Sequence, residues 1–452
     1  MKRVQSLTRR DFVASTSKAV AGTFLLTNLS GFSLPTARRR RLAIVGTGHR
    51  GSGMWGKDVL AAYPDLVEYV GLCDVNPGRV ETARRHMGVA CPTFTDFEEM
   101  IRKTGPDTVI VTTVDATHHT FIAAALSMGC DVITEKPMTT DEVKLRTILE
   151  AQKKSRHRLI VAHNYRYTPT RARIKELLMQ QRIGRLTSVD FHWYLDVYHG
   201  ADYFRRWHRL RSHSGSLLCH KASHHFDLLN WWIASNPETV VAYGGLEFYG
   251  RNNPFRHTHC RPCPLKERCR FYFDMTKDPR LMELYAANEK YDGYHRDGCV
   301  WKEDIDIFDK MAVQIQYTNK VQVSYSLTTY SPYEGYRIAF NGTEGRLEMW
   351  MHERQPWPME KYDEIQITDN FGKPEFLKLP RVEGGHYGGD PLMLDRIFRD
   401  PSSPDPLGQA ADVRDGAMAV LVGVGARMSI DSGKPVRIPD ITGMPLPESS
   451  PG

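Results

Sequence analysis

Arg41-Leu42-Ala43-Ile44-Val45-Gly46-Thr47-Gly48-His49-Arg50-Gly51 decides the fold. A run rich in β-formers passes straight into G-x-G-x-x-G and then into a helical pattern, so the order reads strand, glycine turn, helix. Gly46 makes the tight turn, Gly48 lets backbone approach a pyrophosphate, and Gly51 lets helix pack on strand, with the helix N-terminus facing phosphate. His49 and Arg50 share that loop. The motif alone is weak, and a glycine turn with no ligand is its plain alternative. A second strand over 68–73 strengthens it by ending at Asp74, where the acid that binds adenosine ribose hydroxyls is expected. A carboxylate there repels a 2′-phosphate, which predicts NAD rather than NADP.

Strand signals recur at 107–113, 131–134 and 158–162, with amphipathic helical stretches such as 121–128 and 141–154 between them. That alternation predicts a doubly wound parallel sheet, the Rossmann class of α/β fold. Ligands sit outside the carboxyl ends of such strands. The segments to watch are therefore Thr112-Thr113-Val114-Asp115, Glu135-Lys136-Pro137 and Asn164-Tyr165-Arg166.

The chain has 452 residues, 41% apolar and 25% charged, enough for two filled cores. Residues 1–41 hold nine Lys or Arg against one acid, so eight of the positive charges behind the net +7 belong to the leader and the remainder carries −1. No nucleic-acid-binding surface is expected. Thr8-Arg9-Arg10-Asp11-Phe12-Val13 precedes a weakly apolar stretch, 19–29, too short and polar to span a bilayer. A twin-arginine signal and a periplasmic location are predicted; a basic N-terminal helix explains the charge but not the order basic, apolar, Pro35.

The sequence resembles the glucose–fructose oxidoreductase, inositol dehydrogenase and rhizopine-catabolism (Gfo/Idh/MocA) family over nearly everything after the leader. The glycine loop, Asp74, Thr113 followed by His118, Glu135-Lys136-Pro137, Gly342-Thr343-Glu344-Gly345 and Gly385-His386-Tyr387-Gly388-Gly389-Asp390 carry the resemblance. It implies a C-terminal α/β domain with an open, mostly antiparallel sheet, as alternation over 311–329 suggests, and a homo-oligomer. It also implies that Lys136 lies between nicotinamide and substrate, that Glu135 touches the nicotinamide-side ribose, and that Thr113 and His118 line the cofactor. Asn164, after the last strand, is counted with them. The expected organisation is leader 1–40, Rossmann domain 41–165, substrate-binding and oligomerisation domain 166–440 with a Cys-rich insertion at about 250–305, and tail 441–452.

In the family a helix carries an Asp, three residues, then a His that serves as general base. Here Cys219-His220-Lys221-Ala222-Ser223-His224-His225 puts His224 at the base position and His220 where the Asp stands. Helical spacing of four would aim both at one substrate. His224 can take a hydroxyl proton near neutral pH while His220 or Lys221 orients the sugar; the bland alternative is packing histidines, and a metal on the pair is a minor one. Tyr203-Phe204-Arg205-Arg206-Trp207-His208-Arg209 has the aromatic and guanidinium mixture of a pyranose pocket, and Trp207 and Arg209 match an element that borders the nicotinamide in relatives.

Cys73, Cys91, Cys130 and Cys219 read as buried thiols. Cys260-Arg261-Pro262-Cys263, Cys269 and Cys299 can enclose a tetrahedral zinc ion that stabilises an insertion too polar for its own core; two disulfides are the rival and an iron–sulfur cluster a third reading. The expected activity is NAD-dependent oxidation of a secondary hydroxyl, C3 of a sugar or glycoside, with a tightly bound, recycled cofactor, in glycan breakdown. The alternatives are an NAD-using glycosidase working by oxidation, elimination, hydration and reduction, and a non-catalytic sugar-binding protein with structural NAD.

Overall fold

The computed structural model describes residues 38–443; the leader and tail expected from sequence lie outside the described residues except at their inner ends. Six strands, β1 (Arg40–Val45), β2 (Val67–Cys73), β3 (Thr93–Phe94), β4 (Thr108–Val111), β5 (Asp131–Thr134) and β6 (Leu159–Val161), form one sheet in the order β3-β2-β1-β4-β5-β6. All its pairings are parallel. Leu42, Ala43 and Ile44 are fully buried, as a strand covered by helices on both faces requires. The strand expected over 107–113 stops at Val111 because Thr112 turns back, its amide donating to Val45 O at 2.9 Å and its hydroxyl to Gly46 O at 2.5 Å.

Local chemistry sets the helix ends. Asn76 accepts from Arg79 N to start α1 (Pro77–Met87), Asp96 caps α2 (Phe97–Thr104), and Asp141 caps α4 (Glu142–Lys154), while α3 (His118–Ser127) follows a short turn after β4. The helix after the glycine loop is interrupted by a π-helical stretch at Gly53–Asp58.

The second sheet has nine strands: β7 (Leu186–Asp196), β8 (Pro237–Gly245), β9 (Lys310–Tyr317), β10 (Gln322–Ser331), β11 (Glu334–Gly342), β12 (Gly345–Arg354), β13 (Tyr362–Asp369), β14 (Pro374–Pro380) and β15 (Val436–Arg437). Its order is β14-β13-β12-β11-β7-β10-β9-β8-β15, antiparallel except where β7 meets β10. Buried and exposed residues alternate along β9, so one face meets the core and the other stays open. The helices α5 (Pro169–Met179), α6 (Ala222–Ile233) and α7 (Val413–Ser432) lie on the core side, and Gly423 lets α7 sit against the Leu218 carbonyl, where a Cβ would collide. One apolar cluster runs through both domains. Among the described residues no helix is long and apolar enough to cross a membrane.

The Cys-rich insertion is built from turns, irregular chain and two short helices, Pro279–Leu284 and Glu289–Asp292. Its own core is four side chains: Met275, Leu281, Leu284 and Tyr285.

Candidate active site

The glycine loop has the geometry that a dinucleotide needs. Gly46 holds φ +90°, and a Cβ on it would fall 2.6 Å from Thr112 C and Thr113 N; one on Gly51 would strike the Gly46 carbonyl. Only Gly48 faces outward, and what approaches it is Tyr285 of the insertion, whose Oη lies 3.2 Å from a built Cβ and accepts from the His49 amide at 2.9 Å. Arg280 donates to His49 O at 3.2 Å. Sequence spacing held no hint of this cover, since residue 285 lies far downstream in a segment without periodicity. The ring of His49 is pushed down to about 4 by burial and then by Arg280, Arg206 and Arg296, so it is neutral at pH 7.

Asp74 stands at the end of β2 as expected, but it is not a bare ribose acceptor. It takes Thr47 N at 2.8 Å, Thr47 Oγ1 at 3.1 Å and Asn76 N at 3.0 Å, and pairs with Arg79 at 3.2 Å because Arg79 lies in the first turn of α1. Arg79 in turn meets Asp292 of the insertion. Repulsion of a 2′-phosphate is therefore weaker than a lone carboxylate implies.

Arg50, expected on the cofactor with Glu135, also ties the two domains together. Arg50 pairs with Glu135 at 2.6 Å and bidentately with Asp390 at 3.0 Å; Trp55 Nε1 donates to Glu135 at 2.8 Å. Asn164, nearly fully buried, donates to Asp390 at 2.6 Å, and His386 Nδ1 lies 2.9 Å from the same carboxylate. Burial alone would raise Asp390; the His386 hydrogen bond and the Arg50 charge outweigh it and hold it far below the ordinary range. His386 and Tyr387 hold φ of +51° and +56°, strained values for side-chain-bearing residues, beside this network. His118 ties the loops after β4 and β5 together, its ring nitrogens 2.9 Å from Pro137 O and 3.2 Å from Thr113 O. Thr113 sits at the end of β4, its hydroxyl accepting from Thr117 at 2.8 Å.

The loop after β5 brings Lys136 to the histidine helix. That helix is not continuous: it runs Leu217–His220, breaks at Lys221, and resumes as α6. His224 N bonds Lys221 O at 3.2 Å, which leaves the His220 carbonyl to Lys136 Nζ at 3.1 Å and Ser223 Oγ at 3.1 Å. Lys221 keeps right-handed helical dihedrals, so the chain runs on in the same sense through the break. His220 packs edge-on to Trp207 and His208, ring centres 5.7 and 4.2 Å away, and His224 stacks on Tyr165 at 4.1 Å with His386 6.1 Å off.

Asp115 supplies the carboxylate missing from the helix. Its Oδ2 lies 2.6 Å from His220 Nδ1; with Asp115 ionised, Nδ1–H donates and Nε2 is left as the acceptor. Burial pushes the Asp115 carboxyl up, and the Lys136 ammonium opposes that. Lys136 is lowered to about 8, by burial first, with Asp115 and Glu135 holding it from falling further. Burial, then Lys136 and Lys221, drive His224 below the ordinary histidine value; its Nδ1 is buried with no partner. Lys221 is buried as well, its ammonium 3.3 Å from Tyr165 Oη and 5.1 Å from the centre of Trp193. The cleft thus presents an ammonium, a neutral imidazole and a carboxylate-oriented second imidazole: groups able to accept a proton and stabilise an alkoxide.

Only part of the expected sugar-binding segment reaches this cleft. Tyr203 and Trp207 do, but Phe204 stacks on Tyr249 at 4.1 Å, Arg206 pairs with Asp202 at 2.9 Å, and Arg209 pairs with Asp304 at 2.9 Å. Short turns at Trp207–Arg209 send these side chains in different directions. The four cysteines of the insertion line one cavity and form no disulfide, but no three of their sulfurs lie within 4.8 Å of one another; the set of ligand atoms that does, among the described residues, is His259, His295 and Asp297.

Comparison with known proteins agrees with this architecture. Residues 40–163 match the oxidoreductase-family NAD-binding Rossmann fold and 175–438 the matching C-terminal alpha/beta domain. The chain belongs to the Gfo/Idh/MocA oxidoreductase family. It is 37% identical over 425 residues to a Bacillus subtilis protein described as the oxidoreductase YteT, covering 89% of this chain and 98% of that one. An inositol 2-dehydrogenase/D-chiro-inositol 3-dehydrogenase of Lactiplantibacillus plantarum is 25% identical over 151 residues, 33% of this chain and 43% of that enzyme. In three dimensions the chain resembles the WlbA dehydrogenase of Bordetella pertussis, solved with NADH and UDP-GlcNAcA, at TM-score 0.61 and 18% identity, covering 91% of this chain and all of that one.

Proposed function

We propose that this protein oxidises a secondary hydroxyl of a sugar or glycoside, at C3, using a firmly held and internally recycled NAD. The observation that carries the reading is the convergence of Lys136, the Asp115–His220 pair and His224 where the loops after β4 and β5 meet the second domain. The dinucleotide, when bound, supplies the hydride acceptor. His224, neutral through burial, takes the hydroxyl proton, and the Lys136 ammonium stabilises the oxygen as negative charge develops there. Asp115 fixes the His220 tautomer so that Nε2 can receive a hydrogen bond from a neighbouring hydroxyl. Tyr203 and Trp207 offer apolar faces to ring C–H groups.

Firm retention is supported by Tyr285 and Arg280 lying across the glycine loop. Retention suits an exported enzyme, and the arginine pair at 9–10 is the basis for placing this one in the periplasm. The experiment has two stages: mass spectrometry of nucleotide released on denaturation, then incubation with a panel of glycosides and a keto-sugar acceptor. The expected result is bound NAD and a 3-keto product formed only with acceptor present. Free reducing sugar without acceptor would instead select the glycosidase reading.

A further inference from the structure

Between Tyr249 and Cys299, both in the main core, no fully buried apolar side chain belongs to that core. The segment between them orders nearly fifty residues around four buried apolar groups, too few to offset the conformational entropy lost. Polar contacts such as Tyr285–His49 and Arg79–Asp292 tie parts of it down, and a bound ion would add a crosslink. We propose that Cys260, Cys263, Cys269 and Cys299 form a tetrathiolate site for one structural zinc ion, which staples the insertion and keeps its cover on the glycine loop.

The backbone brings the cysteines together. An antiparallel bridge between His259 and Gly298, with Cys260 N donating to Asp297 O at 2.8 Å and Cys299 N to Thr258 O at 3.2 Å, sets Cys260 beside Cys299. A tight turn, Cys263 N to Cys260 O at 3.0 Å, returns Cys263, and Cys269 joins them on the same cavity beside Tyr272 and Trp301. The charge balance is a second, independent sign. Arg205 is 6% exposed and, among the described residues, has no carboxylate within ion-pair distance; it donates to the Phe271 and Gly298 carbonyls, and its Nη1 lies 3.3 Å from Cys260 Sγ. The carbonyls bring no charge, and four thiolates around a dication would leave a net charge of about −2 to face it.

Bonds of about 2.3 Å would draw the sulfurs to about 3.8 Å from one another. Cys263 and Cys269 are partly exposed and lie on irregular chain, so they are the two with room to move. The preformed set of His259, His295 and Asp297 is the weaker candidate: Asp297 already receives Arg261 at 3.0 Å, and a guanidinium in the ligand shell repels a cation. Soft thiolates in tetrahedral number select zinc.

Full-length protein purified in reductant without chelator should carry about one zinc per chain, with Cys263 and Cys269 unreactive until the metal is stripped. Cobalt exchange should give the absorption of a tetrahedral thiolate site. Cys263→Ser and Cys269→Ser, chosen because neither thiol is fully buried, should lose the metal and open the segment to limited proteolysis. Zinc-free protein with Cys263 and Cys269 alkylable, an intact mass showing disulfides, or iron with acid-labile sulfide would each overturn the proposal.

Discussion

The interdomain cleft and the cysteine-rich insertion both depend on polar side chains, and they hold them in opposite ways. In the cleft most charged groups are held by another from a distant element: Arg50 by Glu135 and Asp390, His220 by Asp115, Lys136 by the carbonyl freed at the helix break. These partners surround the cleft with the main core on every side, so their positions are over-determined. The insertion has a separate cluster of only four buried apolar residues and a cavity of thiols, so its order rests largely on polar contacts such as Arg79–Asp292 and Arg261–Asp297. Preorganisation in the first region and conditional order in the second fit chemistry in one and retention of a ligand in the other.

The sharpest break of that comparison is Lys136→Met, expected to lower kcat by about a thousandfold or more while bound nucleotide survives purification; turnover within tenfold of the parent would remove the amine from the chemistry. Asp115→Asn should lower kcat about a hundredfold with little change in KM, because His220 loses its oriented tautomer rather than its place. An effect on KM alone would make the pair a binding contact. Arg50→Gln leaves Glu135 and Asp390 facing each other without their shared cation, and a urea melt should show a loss of about 3 kcal/mol. An unchanged midpoint would mean that the bridge is screened and the domains are held by apolar packing.

The pH profile is a gentler test. Lys136 keeps its proton below about 8 and loses it as pH rises through that value, so kcat/KM should fall on the alkaline side there. His224 is depressed below the ordinary histidine range, so the base form persists on acidification and the acid limb should lie below pH ~6.5. An acid limb well above pH 6.5 would contradict the burial that lowers His224. The smallest effect belongs to Tyr285→Phe, which removes one hydroxyl over the glycine loop and should speed nucleotide release by about tenfold or less. No change in release would show that the insertion covers the loop without holding the ligand.

Much of the site could be read in advance because it lies where local rules are strong. The glycine loop, Asp74, Thr113, Lys136 and Tyr165 all follow strand ends, and strand ends show as apolar runs that stop. Asp115 stood in one of those segments too, but nothing local marked it as the partner of a histidine 105 positions later. Nothing local showed that Arg50 and Asn164 also meet Asp390, hundreds of residues away, or that Glu135 meets Arg50. The His220–His224 spacing gave no sign of the break at Lys221, where the His220 carbonyl accepts from the Lys136 ammonium instead of the His224 amide.

The sequence by itself determined the parallel sheet, the glycine turn, the acid after β2, the lysine after β5 and the histidine-rich segment of the second domain, since hydrophobic period and glycine geometry act over a few residues. Only the tertiary structure decided that Arg50 bridges domains, that Arg79 neutralises Asp74, that Asp115 orients His220 and that Tyr285 covers the loop. Ion pairs and buried hydrogen bonds form between whatever groups packing brings within about 3 Å, and that choice is made by the whole chain at once.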